Sequence, residues 1–179
     1  MSQYRRKPLA TSYWLKAKRV LRSMPKFTLK KISLRKVKTG KAVVIIQPSN
    51  LYECKLGDDC FVGPFTEIQK GVVIGNNCRI QSHSFICELV TIGNDCFIGH
   101  GVMFINDTFS DGKPAAGDLG KWKKTIIGNN VSIGSNATIL PVSICDGVVI
   151  GAGAVITKDI KKKGTYVGNP ARKMRKLRG

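Results

Sequence analysis

The chain has 179 residues, with 30 lysines and arginines against 11 aspartates and glutamates, a formal charge of +19. An apolar fraction of 42% excludes wholesale disorder, and no run approaches the roughly 18 apolar residues of a membrane helix. The N-terminus has no apolar signal core, which argues against secretion by that route. Charge of this size points first to nucleic acid or an anionic membrane, but its distribution weakens that reading.

Residues 1–42 carry 14 basic and no acidic side chains and read as a basic N-terminal arm. Within it, Tyr13, Ala17, Val20 and Met24 fall at helical spacing, predicting one short helix over Ser12–Met24 that Pro25 ends. Four roles for the arm stay open: packing across the end of the domain as a cap, contact with an anionic membrane, a solvated tail, or an organellar transit peptide.

From Leu56 the sequence repeats every six residues. Val62, Ile68, Ile74, Ile80 and Ile86 continue a beat that runs to Phe104 and resumes from Ile127 to Ile156. Two residues before most anchors sits something small or β-branched, such as Cys60, Thr66, Val72 or Ser84. That offset puts both side chains on one face of a strand. Gly57-Asp58-Asp59, Gly75-Asn76-Asn77 and Gly93-Asn94-Asp95 follow as turns. A helix with this beat would have no single apolar stripe.

Fifteen hexads, three to a coil, predict an all-β solenoid of about five coils over residues 43–160, interrupted by a loop at 106–126. Residues 18 apart then stack. Cys60, Cys78 and Cys96 form such a column and read as small core residues in a reducing compartment. Cys87 and Cys145 fall at turns without an evident catalytic partner.

The same arithmetic stacks Asn106 on Glu88, with Asp107 where the chain leaves the coil. Two carboxylates and an amide at the root of a long excursion suit an ammonium or amine. The alternative is that Asn106 and Asp107 are ordinary corner residues. His83 and His100 are 17 apart, so they do not stack, and His100 falls on a different corner from Glu88. Metal catalysis of the kind that needs three histidines is not expected from a chain with two. In the loop, Trp122 beside Lys121, Lys123 and Lys124 suits a base and phosphates of a nucleotide or coenzyme A, or equally a packing contact. Residues 161–179 form a basic C-terminal tail.

The hexads, the interruption after Phe104, the run Ile150-Gly-Ala-Gly-Ala-Val-Ile-Thr-Lys-Asp159 and Val167-Gly-Asn-Pro-Ala-Arg172 resemble the hexapeptide-repeat acyltransferases. Residues Ile80–Glu88 and Ile98–Asp107 resemble, more narrowly, the sugar-nucleotide N-acetyltransferases of surface-glycan assembly, including O-antigen and lipopolysaccharide. The resemblance implies a left-handed parallel β-helix, a hand that spacing does not give. It also implies a homotrimer with sites between subunits, acetyl-CoA as cosubstrate and a nucleotide-linked amino sugar as acceptor, with the C3 amine favoured over C4.

By the same resemblance Glu88, Asn106 and Asp107 contact the amine, and His100 is a candidate base or substrate contact. Ser135, Ala152 and Gly153 line the pantetheine path, and Lys158 and Arg172 meet the phosphates of CoA. A cytoplasmic enzyme is expected, with peripheral contact at the inner membrane surface through residues 1–42 left open. Nucleic acid is not expected as a partner. The competing class is a non-catalytic basic solenoid that binds membrane or nucleic acid, or a transferase for another small amine or hydroxyl. The body argues against the binding module, since residues 43–157 hold 7 basic and 10 acidic side chains.

Overall fold

The computed structural model describes residues 33–174; the helix expected over Ser12–Met24 and the last five residues lie outside that range. Strands of two or three residues alternate with tight corners and stack into three sheets of seven, six and eight strands. All pairings between these strands are parallel except the final one, Tyr166↔Lys173. This is the predicted β-solenoid, each sheet forming one side of a three-sided prism.

The hexad anchors fill the prism. Leu51, Ile68, Ile86, Phe104 and Ile139 form one inward column, each fully buried. Burying each such side chain contributes about 1.5–3 kcal/mol. The small positions point the same way: Cys60, Cys78 and Cys96 are buried, and each thiol donates to a carbonyl one coil on, at 3.1 Å to Gly75, Gly93 and Gly128. Burial pushes the Cys54 thiol up to about 11 and the Cys87 thiol up to about 12, so both stay protonated core groups.

One row of corners is held by a side-chain ladder. Asn76 Oδ1 accepts from the Asp58 N–H, Asn94 Oδ1 from Asn76, Asn129 Oδ1 from Asn94 and Asp146 Oδ1 from Asn129, all at 2.8 Å. Asn and Asp suit these corners because each rung satisfies a main-chain donor that the turn would otherwise leave unpaired.

The coil count is corrected from five to seven, one for each strand of the seven-stranded sheet. Leu34–Arg35 and Lys38–Thr39 pair with the strands of the next coil, and Thr165–Val167 completes the last. The solenoid therefore starts inside the segment read as arm and ends inside the segment read as tail. The first coil escaped notice because Arg35, Lys36, Lys38 and Lys41 occupy its exposed positions, while its inner residues Val37, Val43 and Ile45 are only half-buried. It also steps by 17 residues, Leu34↔Leu51, against 18 for Phe61↔Arg79.

The long excursion leaves after Met103–Phe104 and returns at Thr125–Ile127. Val90↔Thr125 and Ile92↔Ile127 keep the register across it. Its one helical turn, Leu119–Lys121, is capped by Asp118, whose side chain accepts from the Gly120 N–H. Among the described residues no helix is long and apolar enough to cross a membrane.

Candidate active site on two edges of the solenoid

The first edge is the row of corners that includes the one between Phe85–Ile86 and Val90–Ile92. Three coils are tied together here by amide side chains. Gln69 Oε1 accepts from the Glu88 N–H at 3.3 Å, and Asn106 Nδ2 donates to the Glu88 carbonyl at 3.3 Å. Asn106 therefore stacks on Glu88. The Glu88 side chain is half-buried, and no described residue donates to its carboxylate. Burial first, then the Glu67 and Glu88 carboxylates, raise the Tyr52 phenol above its ordinary value, so Tyr52 stays a neutral donor nearby.

Asp107 is differently engaged. Its Oδ1 accepts from the Phe109 N–H at 2.9 Å and its Oδ2 from the Ala115 N–H at 2.7 Å. These bonds, Ala115 foremost, hold the carboxyl below the ordinary carboxylate range. A carboxylate stabilised as an anion is a poor proton acceptor, and this geometry makes Asp107 the anchor of the loop. The Lys123 N–H closes the loop base on the Asn106 carbonyl at 2.9 Å, and Lys121 bridges to Asp111 at 2.7 Å. Trp122 is half-buried on this stretch and Lys124 is exposed.

Asp107→Asn removes one acceptor, because an amide nitrogen cannot receive an N–H. Amide exchange at Phe109 or Ala115 is expected to accelerate, with the solenoid unchanged. The wild-type loop should loosen as the pH falls. A carboxyl whose folded pKa is depressed stabilises above its unfolded pKa and loses that contribution as pH drops through the folded one. Unchanged exchange in the variant refutes the anchor.

The second edge is the row of corners that follows strands such as Phe97–Ile98. It carries His100, Ser135, Ala152 and Gly153 on successive coils, linked by Asn136 N–H to His100 carbonyl at 2.8 Å and Gly153 N–H to Ser135 carbonyl at 2.9 Å. His100 Nδ1 is 2.8 Å from Ser82 Oγ, one coil earlier, which leaves Nε2 as its outward nitrogen. Gly101 has φ +65 and a Cβ there would overlap Asn136 Oδ1, so the amide occupies space beside His100 that only glycine leaves open. Around Gly153 there is no atom within 4 Å of a Cβ position, an open slot. Glu88 and His100 thus lie on different edges of one chain.

A cavity of about 260 Å³ lies at the C-terminal end, lined by Lys158, Tyr166, Arg172 and Lys173 among others. It unites the two basic residues, Lys158 and Arg172, that the sequence offered as phosphate ligands. Ser82 and Gln69 were missed. Ser82 had a signal, lying 18 residues before His100, the spacing that paired Glu88 with Asn106. Gln69 lies 19 before Glu88, one residue off that spacing.

Residues 53–88 match the family model for the bacterial transferase hexapeptide (six repeats), and residues 124–158 match the hexapeptide repeat of succinyl-transferase. Both matched segments are hexapeptide repeats. The bifunctional protein GlmU of Streptococcus uberis is 34% identical over 137 residues, and that of Nitratidesulfovibrio vulgaris 28% over 134. Those alignments take in 72% and 71% of this chain but only 30% of each relative. In fold the chain resembles AntD, an N-acyltransferase from Bacillus cereus. A mutant of AntD in complex with dTDP and coenzyme A gives a TM-score of 0.67 at 22% identity, over 77% of this chain and 82% of that one. AntD with dTDP and 3-hydroxybutyryl-CoA gives 0.65 at 20% identity, over 78% and 82%. A hexapeptide transferase family protein of Anaplasma phagocytophilum gives 0.54 at 17%, over 80% and 82%.

Proposed function

We propose that this hexapeptide-repeat chain is an acetyl-CoA-dependent N-acetyltransferase whose acceptor is the amine of an amino-deoxy sugar nucleotide, the C3 amine favoured. The observation that carries this reading is the Glu88 carboxylate, which no described residue engages, stacked under Asn106 at the root of the loop. A half-buried carboxylate with no internal donor offers a place for an ammonium group. AntD, bound to dTDP and an acyl-CoA, supports the substrate class.

The reaction needs both edges. Glu88 and the Asn106 side-chain amide hold the sugar ammonium. His100 Nε2 takes its proton, with Ser82 Oγ accepting from Nδ1–H so that Nε2 keeps its lone pair. The neutral amine then attacks the thioester carbonyl, the C–S bond breaks, and CoA leaves as a thiolate that takes up a proton. Ser135, Ala152 and Gly153 give the pantetheine arm its path, while Lys158 and Arg172 meet the phosphates. Because Glu88 and His100 occupy different edges of one prism, the complete site forms between two copies, in a homotrimer. Surface-glycan assembly is the setting that such a product suits.

Glu88→Gln keeps the shape and loses the charge, and should lower kcat/KM for the nucleotide-linked amine roughly tenfold or more, as expected when a charged hydrogen bond is lost. A thiol-release assay with acetyl-CoA against a panel of amino-deoxy sugar nucleotides measures this. No release with any acceptor from folded protein, or a variant equal to wild type, overturns the assignment. Light scattering tests the assembly, and a monomer refutes the shared site.

A further inference from the structure

The third position of most corners on the second edge takes a left-handed backbone: Phe65 has φ 59, His83 62, Gly101 65, Asn136 58 and Gly153 68. Glycine and asparagine are at ease there. Phenylalanine is not, and a bulky side chain with positive φ is held at the expense of stability. Burial would be the usual compensation, yet Phe65 is 58% exposed. Its ring lies flat against that of His83, one coil on, with centroids 4.9 Å apart and planes 19° apart. The chain thus holds an aromatic pair in a strained conformation and leaves it facing outward, on the edge that carries His100 one coil beyond His83. Strain at an exposed aromatic pair marks a binding surface more readily than a packing element.

We propose that the Phe65–His83 stack is the subsite for the nucleobase of the acceptor, a reading that rests on the transferase assignment and deepens it. Phe65 is two coils from His100, about 10 Å at the spacing of parallel strands. The open path at Ser135 and Gly153 lies on the opposite side of His100, so the coenzyme approaches from the C-terminal coils and the acceptor from the N-terminal ones. Two stacked rings are also too small to make a protein interface by themselves, which needs on the order of 800 Å² from each partner. Every nucleobase has a face that can stack, so recognition by stacking accepts thymine and uracil alike.

The test uses free dTDP, UDP and CoA with the full chain. Calorimetry should detect both nucleoside diphosphates, and ring-current shifts should move the His83 imidazole signals, easily assigned in a chain with two histidines. Phe65→Gly removes the ring and suits the left-handed backbone, so thermal stability should hold or rise while dTDP and UDP affinity falls roughly 5- to 100-fold. CoA affinity should not change. Phe65→Trp should retain binding. The assignment is overturned if wild type binds neither diphosphate, if Phe65→Gly binds them as wild type does, or if CoA affinity falls instead, which would make adenine the occupant. It is also overturned if Phe65→Gly lowers the oligomer mass, which would make the stack a contact between copies. The two readings fail separately: Phe65-dependent dTDP binding without acetyl transfer leaves the subsite and removes the transferase, whereas active transfer with an unchanged acceptor KM in Phe65→Gly does the reverse.

Discussion

His100→Ala is expected to lower kcat for acetyl transfer by roughly 10²- to 10⁴-fold, the usual contribution of a positioned general base. The expectation follows from the placement of the ring. Its Nδ1 is committed to Ser82 Oγ, its Nε2 points outward, and its carbonyl is tied to the Asn136 N–H at the start of the small-residue path. The folded state should barely notice the change, because the side chain is exposed and packs into no core. Thermal unfolding and light scattering should match wild type, and the KM for acetyl-CoA should stay within a few-fold. Ser82→Ala should lower the same rate by less, since Nε2 still reaches the amine but the tautomer is no longer fixed. A fully active His100→Ala protein would remove His100 from the proton transfer.

The largest loss of stability is expected from Phe104→Ala, about 3–5 kcal/mol, the range for deleting a fully buried aromatic ring. Phe104 stands where isoleucine stands in neighbouring coils, stacked between Ile86 and Ile139, and is fully buried. It is also the last inward residue before the loop departs, two residues before Asn106. Its removal should therefore hollow the prism directly beneath the corner where Asn106 stacks on Glu88. Chemical denaturation measures the loss. Residual activity in the folded fraction should fall too, because Asn106 reaches the Glu88 carbonyl from just beyond the strand end that Phe104 anchors. A loss below about 1 kcal/mol would mean that the coils collapse around the gap.

The sequence displayed the solenoid clearly through its middle coils, where isoleucine recurs in strand after strand and nothing competes with the beat. It was silent at both ends for opposite reasons. At the first coil, basic side chains in outward positions hide three half-buried anchors, Val37, Val43 and Ile45. At the last, Tyr166 takes the place of an aliphatic, packs partly against the core and pairs with Lys173 in an antiparallel hairpin. Within the candidate site, stacking arithmetic correctly joined Glu88 to Asn106, because solenoid geometry turns a sequence interval into a neighbour. The same arithmetic could not foresee that the Asp107 carboxylate turns back on Phe109 and Ala115, since loop hydrogen bonds follow no period. Nor does any residue count show that Phe65 lies exposed at a strained corner, which depends on backbone angle and solvent access together.

The loop leaves and rejoins the solenoid without shifting a single pairing, Val90 meeting Thr125 as if the intervening chain were a standard corner. Such an insertion behaves as an exchangeable cassette. Its length can change with little thermodynamic consequence, because each doubling of a flexible loop costs only about 0.6 kcal/mol in closure entropy. Residues 107–124 can thus be replaced, in evolution or by design, while the coils that carry Glu88, Asn106 and His100 stay as they are. A scaffold built in this way lets a surface loop change while the coils beneath it stay fixed.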